Sequence, residues 1–199
     1  MPAPVTAAVS GISSVAAGTN FSCAITTGNT VKCWGTDAAG QQGNGAGSSA
    51  NVLVPTDVSG VTFMTTLLTG TSSVCARTVA GDGKCWGTNT SGQFGNGTTT
   101  SSVSPVTANL PVGYVAQASG ADFACGLSFD GGTRCWGDNA SGQLGNGTTT
   151  SASSPVAIPG VVFNIDTAVN PANTDIFWWA PGDDAAQKEQ LWIELESIS

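Results

Sequence analysis

Residues 23–35 read Cys23-Ala24-Ile25-Thr26-Thr27-Gly28-Asn29-Thr30-Val31-Lys32-Cys33-Trp34-Gly35, and two later stretches repeat the same plan. Cys75 and Cys85, then Cys125 and Cys135, keep the separation of Cys23 and Cys33, and Trp34, Trp86 and Trp136 follow one another at intervals of 52 and 50 residues. Each Cys-Trp-Gly is followed by a Gly-Gln pair and a Gly-Asn-Gly. A fixed period near fifty residues marks an array of units, none of which buries its faces alone.

Within a unit the period-two runs flank Thr27-Gly28-Asn29, Gly81-Asp82-Gly83 or Asp130-Gly131-Gly132. These residues tolerate the positive φ that hairpin connections need. In a hairpin centred on residue 28, positions 23 and 33 stand opposite each other with Cβ atoms within disulfide reach. Zinc ligands come in closer Cys pairs, so the spacing predicts disulfides Cys23–Cys33, Cys75–Cys85 and Cys125–Cys135. Alternation puts each cysteine and its neighbouring tryptophan on opposite faces of the sheet. Both faces then need cover, as in a blade held between two other blades.

The composition agrees with an all-β chain of short strands and tight turns: 27 glycines, 40% apolar and only 9% charged residues. A net charge of -8 argues against nucleic acid as a partner, and the lack of histidine removes the commonest general base and metal ligand. No cofactor or metal site is expected. No apolar run approaches the length of a membrane span. Disulfides imply an oxidising compartment, so the protein is expected to be extracellular or at the cell surface. The start Met1-Pro2-Ala3-Pro4-Val5-Thr6-Ala7-Ala8 lacks the charged and apolar regions of a signal peptide and reads as a mature terminus with an initiator Met.

The motif of residues 23–35, with Gly92-Gln93-Phe94-Gly95-Asn96-Gly97 and Gly142-Gln143-Leu144-Gly145-Asn146-Gly147, resembles the regulator-of-chromosome-condensation repeat in its bacterial, cysteine-paired form. That resemblance implies four-stranded blades of a β-propeller, which in this family usually has seven. The boundaries expected here are an N-terminal extension at 1–8, repeats at about 9–60, 61–110 and 111–160, and a divergent segment at 161–199. One chain thus holds an incomplete propeller.

The segment 161–199 carries Asp166, Asp175, Asp183, Asp184, Glu189, Glu194 and Glu196 against Lys188, most of the net charge. It also holds three of the six tryptophans, in Phe177-Trp178-Trp179 and at Trp192. It reads as a partial fourth blade or as an interface element, since tryptophan is enriched where proteins bind each other. Its periodicity fits a strand and a helix alike.

Other motifs are read structurally. Gly-Gln-x-Gly-Asn-Gly lacks the lysine and helix of a phosphate loop, so Gln41, Gln93 and Gln143 are expected to satisfy backbone groups in the blade connection. Lys32, Lys84 and Arg134 share one repeat position and read as a solvated face. Glycosylation sequons begin at Asn20, Asn89, Asn96, Asn139 and Asn146. No Gly-x-Ser-x-Gly elbow exists.

The chain is therefore expected to be a non-catalytic repeat protein acting in self-assembly, as ring or filament, or in extracellular protein binding. The family also includes a propeller that inhibits β-lactamase, so the resemblance allows an enzyme-inhibiting or receptor-binding module working through Trp178 and Trp179. A hydrolase using Asp183 and Asp184 is disfavoured, because adjacent strand residues point to opposite faces. Guanine-nucleotide exchange, the role of the family's eukaryotic namesake, does not suit an acidic disulfide-linked chain.

Overall fold

The computed structural model describes residues 10–47, 50–108, 114–128 and 131–162. Among these residues twelve strands form three antiparallel sheets, each built from four strands in chain order. The first holds β1 (Ile12–Ala17), β2 (Phe21–Thr26), β3 (Val31–Gly35) and β4 (Val52–Asp57). The second holds β5 (Met64–Thr69), β6 (Ser73–Thr78), β7 (Gly83–Gly87) and β8 (Ser102–Ala108). The third holds β9 (Tyr114–Ser119), β10 (Phe123–Ser128), β11 (Gly132–Gly137) and β12 (Ala152–Val162). Among the described residues the fold is all-β, with three blades of an incomplete propeller and no helix.

The second and third strands of each blade form the hairpin that the sequence predicts. Cys23 faces Cys33, Cys75 faces Cys85 and Cys125 faces Cys135 in register. The turn backbone enters the left-handed region at Asn29 (φ 59°) and at Gly81 (φ 98°), where glycine and asparagine meet the least steric cost.

The first strands of successive blades lie side by side. Thr69 Oγ1 in β5 donates to the Ala17 carbonyl in β1 at 2.9 Å, and Ser119 Oγ in β9 donates to the Thr69 carbonyl at 3.0 Å. These bonds hold the inner edges of the blades together.

The fourth strand carries a repeated irregularity. Cys33 pairs with Thr56 and Gly35 with Val52, so residues 53–55 bulge opposite the single residue Trp34. The same occurs at 103–105 opposite Trp86 and at 153–155 opposite Trp136. Each bulge contains a proline (Pro55, Pro105, Pro155), which has no N–H to give to a ladder and is tolerated where pairing is already broken.

The core lies between blades. Cys23, Ile25, Val31 and Cys33 of the first blade pack with Val74, Ala76 and Trp86 of the second. Cys75 and Cys85 of the second pack with Tyr114, Ala124 and Trp136 of the third. The disulfide face of one blade thus meets the tryptophan face of the next.

Candidate functional site: the blade junctions

The loop between the third and fourth strands of a blade crosses over to the blade that follows. Trp86 Nε1 donates to the Gln41 carbonyl at 2.8 Å, and Trp136 Nε1 donates to the Gln93 carbonyl at 3.1 Å. Both indoles are shut off from solvent, at 0% and 1% exposure. The same loops reach the bulges: Gly45 N donates to the Val103 carbonyl at 3.0 Å and Gly97 N to the Ser153 carbonyl at 2.8 Å. Contact is close enough that a Cβ on Gly92 would lie 2.4 Å from Ser153 Cα, and one on Gly40 2.7 Å from Val103 Cα. A repeated bulge with its carbonyl exposed is what lets a neighbouring loop dock there.

The loop itself is held from within. Asn89 Oδ1 accepts from Phe94 N at 2.9 Å, while its Nδ2 donates to the carbonyls of Thr98 and Thr100. Asn139 does the same with Leu144 N, Thr148 and Thr150. In the first blade Asp37 takes this place, accepting from Gln42 N at 3.0 Å. The glutamines close the turn, since the Oε1 atoms of Gln41, Gln93 and Gln143 accept from the N–H groups of Ala39, Ser91 and Ser141. This is the backbone-satisfying role expected for them, whereas the tryptophan-to-carbonyl bond across the junction is not announced by the sequence.

Among the described residues there are three such loops and three tryptophan faces, and two pairs of them meet. Trp34, on the outward face of the first blade, is half-buried, and no acceptor meets its Nε1 among the described residues. Val15 on the same face is 71% exposed, while Leu67 at the matching position in the second blade packs into the first junction. The bulge residue Leu53 is 86% exposed, where its counterpart Val103 lies under Gly40 at 39% and Ser153 lies half-buried under Gly92. At the other end Gly142 and Gln143 are half-buried and Gly145 exposed, although their counterparts Gly92, Gln93 and Gly95 are buried. A Cβ on Gly142 would meet nothing closer than the Thr148 carbonyl of its own loop, at 3.9 Å.

The sequence-predicted site residues fall as follows. The sulfur atoms of Cys23 and Cys33 lie 2.10 Å apart, those of Cys75 and Cys85 2.11 Å, and those of Cys125 and Cys135 2.05 Å. Phe177, Trp178, Trp179 and Trp192 lie outside the described residues. The three basic residues are each engaged inside their own blade: Lys32 with Asp57 at 2.8 Å, Lys84 with Thr107 Oγ1 at 2.9 Å and Arg134 with Ser128 Oγ at 3.3 Å. Arg77 spans the second junction by donating to the Tyr114 carbonyl, and burial there lowers its pKa from the ordinary arginine value.

An open cleft of about 590 Å³ lies at the opposite, turn side of the second blade, between Phe63, Met64, Thr78 and Lys84. Its lysine is the one already bonded to Thr107.

Comparison with known proteins finds similar repeats. Two models, each of the Regulator of chromosome condensation (RCC1) repeat, match the chain, one at residues 12–41 and 116–143 and the other at 130–169. No protein of curated function matches in sequence. Among solved structures, human WBSCR16 superposes with a TM-score of 0.65 at 24% identity, over 78% of this chain and 40% of that one. Prp20p from Saccharomyces cerevisiae, described with its binding properties to Gsp1p and histones, gives 0.64 at 20% identity, over 74% and 38%. Yeast RCC1 (Prp20) bound to Kap60 gives 0.64 at 19%, over 74% and 37%. The chain thus spans about two fifths of the length of the structures it resembles.

Proposed function

We propose that this RCC1-like repeat protein is an exported, non-catalytic scaffold that holds proteins, its own copies included, through uncovered blade faces. The observation that carries the reading is the first blade. Val15, Trp34 and Leu53 lie on its outward side, whereas their counterparts Leu67 and Trp86 pack into the first junction and Val103 lies under Gly40. Exposed apolar side chains on a face that is buried in the neighbouring blades point to an interaction site. Export is supported by three cysteine pairs at bonding distance and by the absence of any free cysteine. The similar yeast protein is described as binding Gsp1p, histones and Kap60, which fits protein binding as the common use of such repeats.

The test compares the parent with Leu53→Arg, a change at an exposed side chain. Light scattering of the non-reduced protein reads self-association, and cross-linking to proteins of the same compartment reads other partners. The parent is expected to associate and the variant to lose it. A parent that stays alone in both measurements, unchanged by Leu53→Arg, ends the reading.

A second mode rests on the aromatic run Phe177-Trp178-Trp179 with Trp192 in an acidic setting. Such an aromatic sequence is what an enzyme-inhibiting or receptor-binding module would use. The double variant Trp178→Ala, Trp179→Ala is expected to lose a partner that the parent captures, and an unchanged partner set rejects the mode.

A further inference from the structure

Among the described residues, the two ends of the array carry the two halves of the contact that closes each internal junction. We infer that the occupant of the Trp34 face is a second copy of this chain, which presents its loop at Gly142–Gly147 so that the Gln143 carbonyl accepts from Trp34 Nε1. The inference rests on the protein-holding reading above and names the partner for it.

Each element of the contact already exists twice inside the chain. The Gln41 and Gln93 carbonyls accept from Trp86 and Trp136, and Gln143 ends the series with no tryptophan to follow it among the described residues. Gly45 and Gly97 donate their N–H groups to bulge carbonyls, and Gly147 (φ 79°) holds the same left-handed backbone with open space around it. On the receiving side Leu53 stands at the bulge position that Val103 and Ser153 occupy in the closed junctions. A loop that docks twice in the chain on such a surface carries the geometry to dock a third time.

Charge does not oppose the contact. Residues 161–199 hold most of the net -8, so the facing blades are nearly neutral. The contact is heterologous, with different surfaces meeting, and therefore propagates to a ring or a filament instead of stopping at a symmetric dimer.

Two variants separate the surfaces. Leu53→Arg spoils only the receiving face. Gly145→Asn spoils only the loop: asparagine accepts the φ of 64°, and in the isolated chain a Cβ at this position meets just Ile158 Cγ2 at 3.4 Å. In a junction the same Cβ would lie 2.9 Å from an indole nitrogen, as a Cβ on Gly43 would from Trp86 Nε1. Should Gly145→Asn fail to fold by circular dichroism, Ser141→Arg replaces it, since Ser141 is exposed while Ala39 and Ser91 in the closed junctions are half-buried.

Light scattering is expected to show assemblies for the parent, monomers for each variant alone, and particles of twice the monomer mass, no larger, for an equimolar mixture. In that mixture one copy keeps a working loop and the other a working face. A monomeric parent, assemblies unaffected by either variant, or a mixture that stays monomeric overturns the inference. Capture of a different protein through Leu53 by a parent that does not self-associate overturns it while leaving the protein-holding reading in place.

Discussion

Trp136 in the third blade donates its indole proton to the backbone carbonyl of Gln93 in the second, and Trp86 does the same to Gln41 one blade earlier. The third member of the series, Trp34, is the same residue in the same local sequence and meets no such acceptor among the described residues. The difference between these tryptophans is therefore positional, and it can be measured.

Replacing Trp86 by Phe keeps most of the buried ring but leaves the Gln41 carbonyl without its donor inside the junction. The expected loss is about 1–3 kcal/mol in a denaturant titration. Trp34→Phe, which removes no such bond, is expected to change stability by no more than about 0.5 kcal/mol in the monomer. Equal losses would mean that the junction bond contributes nothing.

Gly92 and Gly142 hold nearly the same backbone, with φ of 82° and 77°. An alanine at either therefore carries a similar left-handed penalty, about 1–2 kcal/mol. Gly92→Ala also drives a methyl group against the backbone of Ser153, which overpacks the junction at a further cost of about 1–3 kcal/mol. The excess of the first loss over the second, read from thermal or chemical unfolding, isolates the closeness of the junction.

Breaking the second disulfide by the double variant Cys75→Ala, Cys85→Ala reopens a ten-residue loop in the unfolded chain. The chain-entropy model gives a loss of about 2.7 kcal/mol. Unfolding in the presence and absence of reductant provides the matching measurement for all three pairs. Parent stability that does not respond to reduction would show that the bridges are not formed.

Among the sequons, Asn89 and Asn139 have their Nδ2 groups turned inward onto threonine carbonyls, whereas Asn20 is exposed. A glycan on either buried nitrogen is incompatible with the folded loop. Mass spectrometry of folded protein secreted by a eukaryotic host is expected to find glycan at Asn20 and none at Asn89 or Asn139.

The hairpins were legible in the sequence because everything that makes them is local. Two cysteines ten residues apart and a glycine-bearing turn between them leave little room for another arrangement. The opposed faces of cysteine and tryptophan followed from alternation alone. The junction was not legible, because its acceptors are backbone carbonyls 45 and 43 residues away in the chain, and any residue type has a carbonyl. A signal for it was present all the same. Pro55, Pro105 and Pro155 recur at the period of the repeat and mark the bulges on which the loops dock, and Asp37, Asn89 and Asn139 mark the residues that shape those loops. Lys32, Lys84 and Arg134, at one shared repeat position, each find a partner in their own blade, which the sequence position alone does not name.

The six cysteines are all spent inside single hairpins, and no bridge joins one blade to the next. Under tension the covalent reinforcement and the weak points are therefore separated. Pulling on the array loads the non-covalent seams, where an indole bond, a loop and an apolar face give way one after another, while each hairpin stays clipped and ready to close again. A structure of this kind yields in steps and recovers.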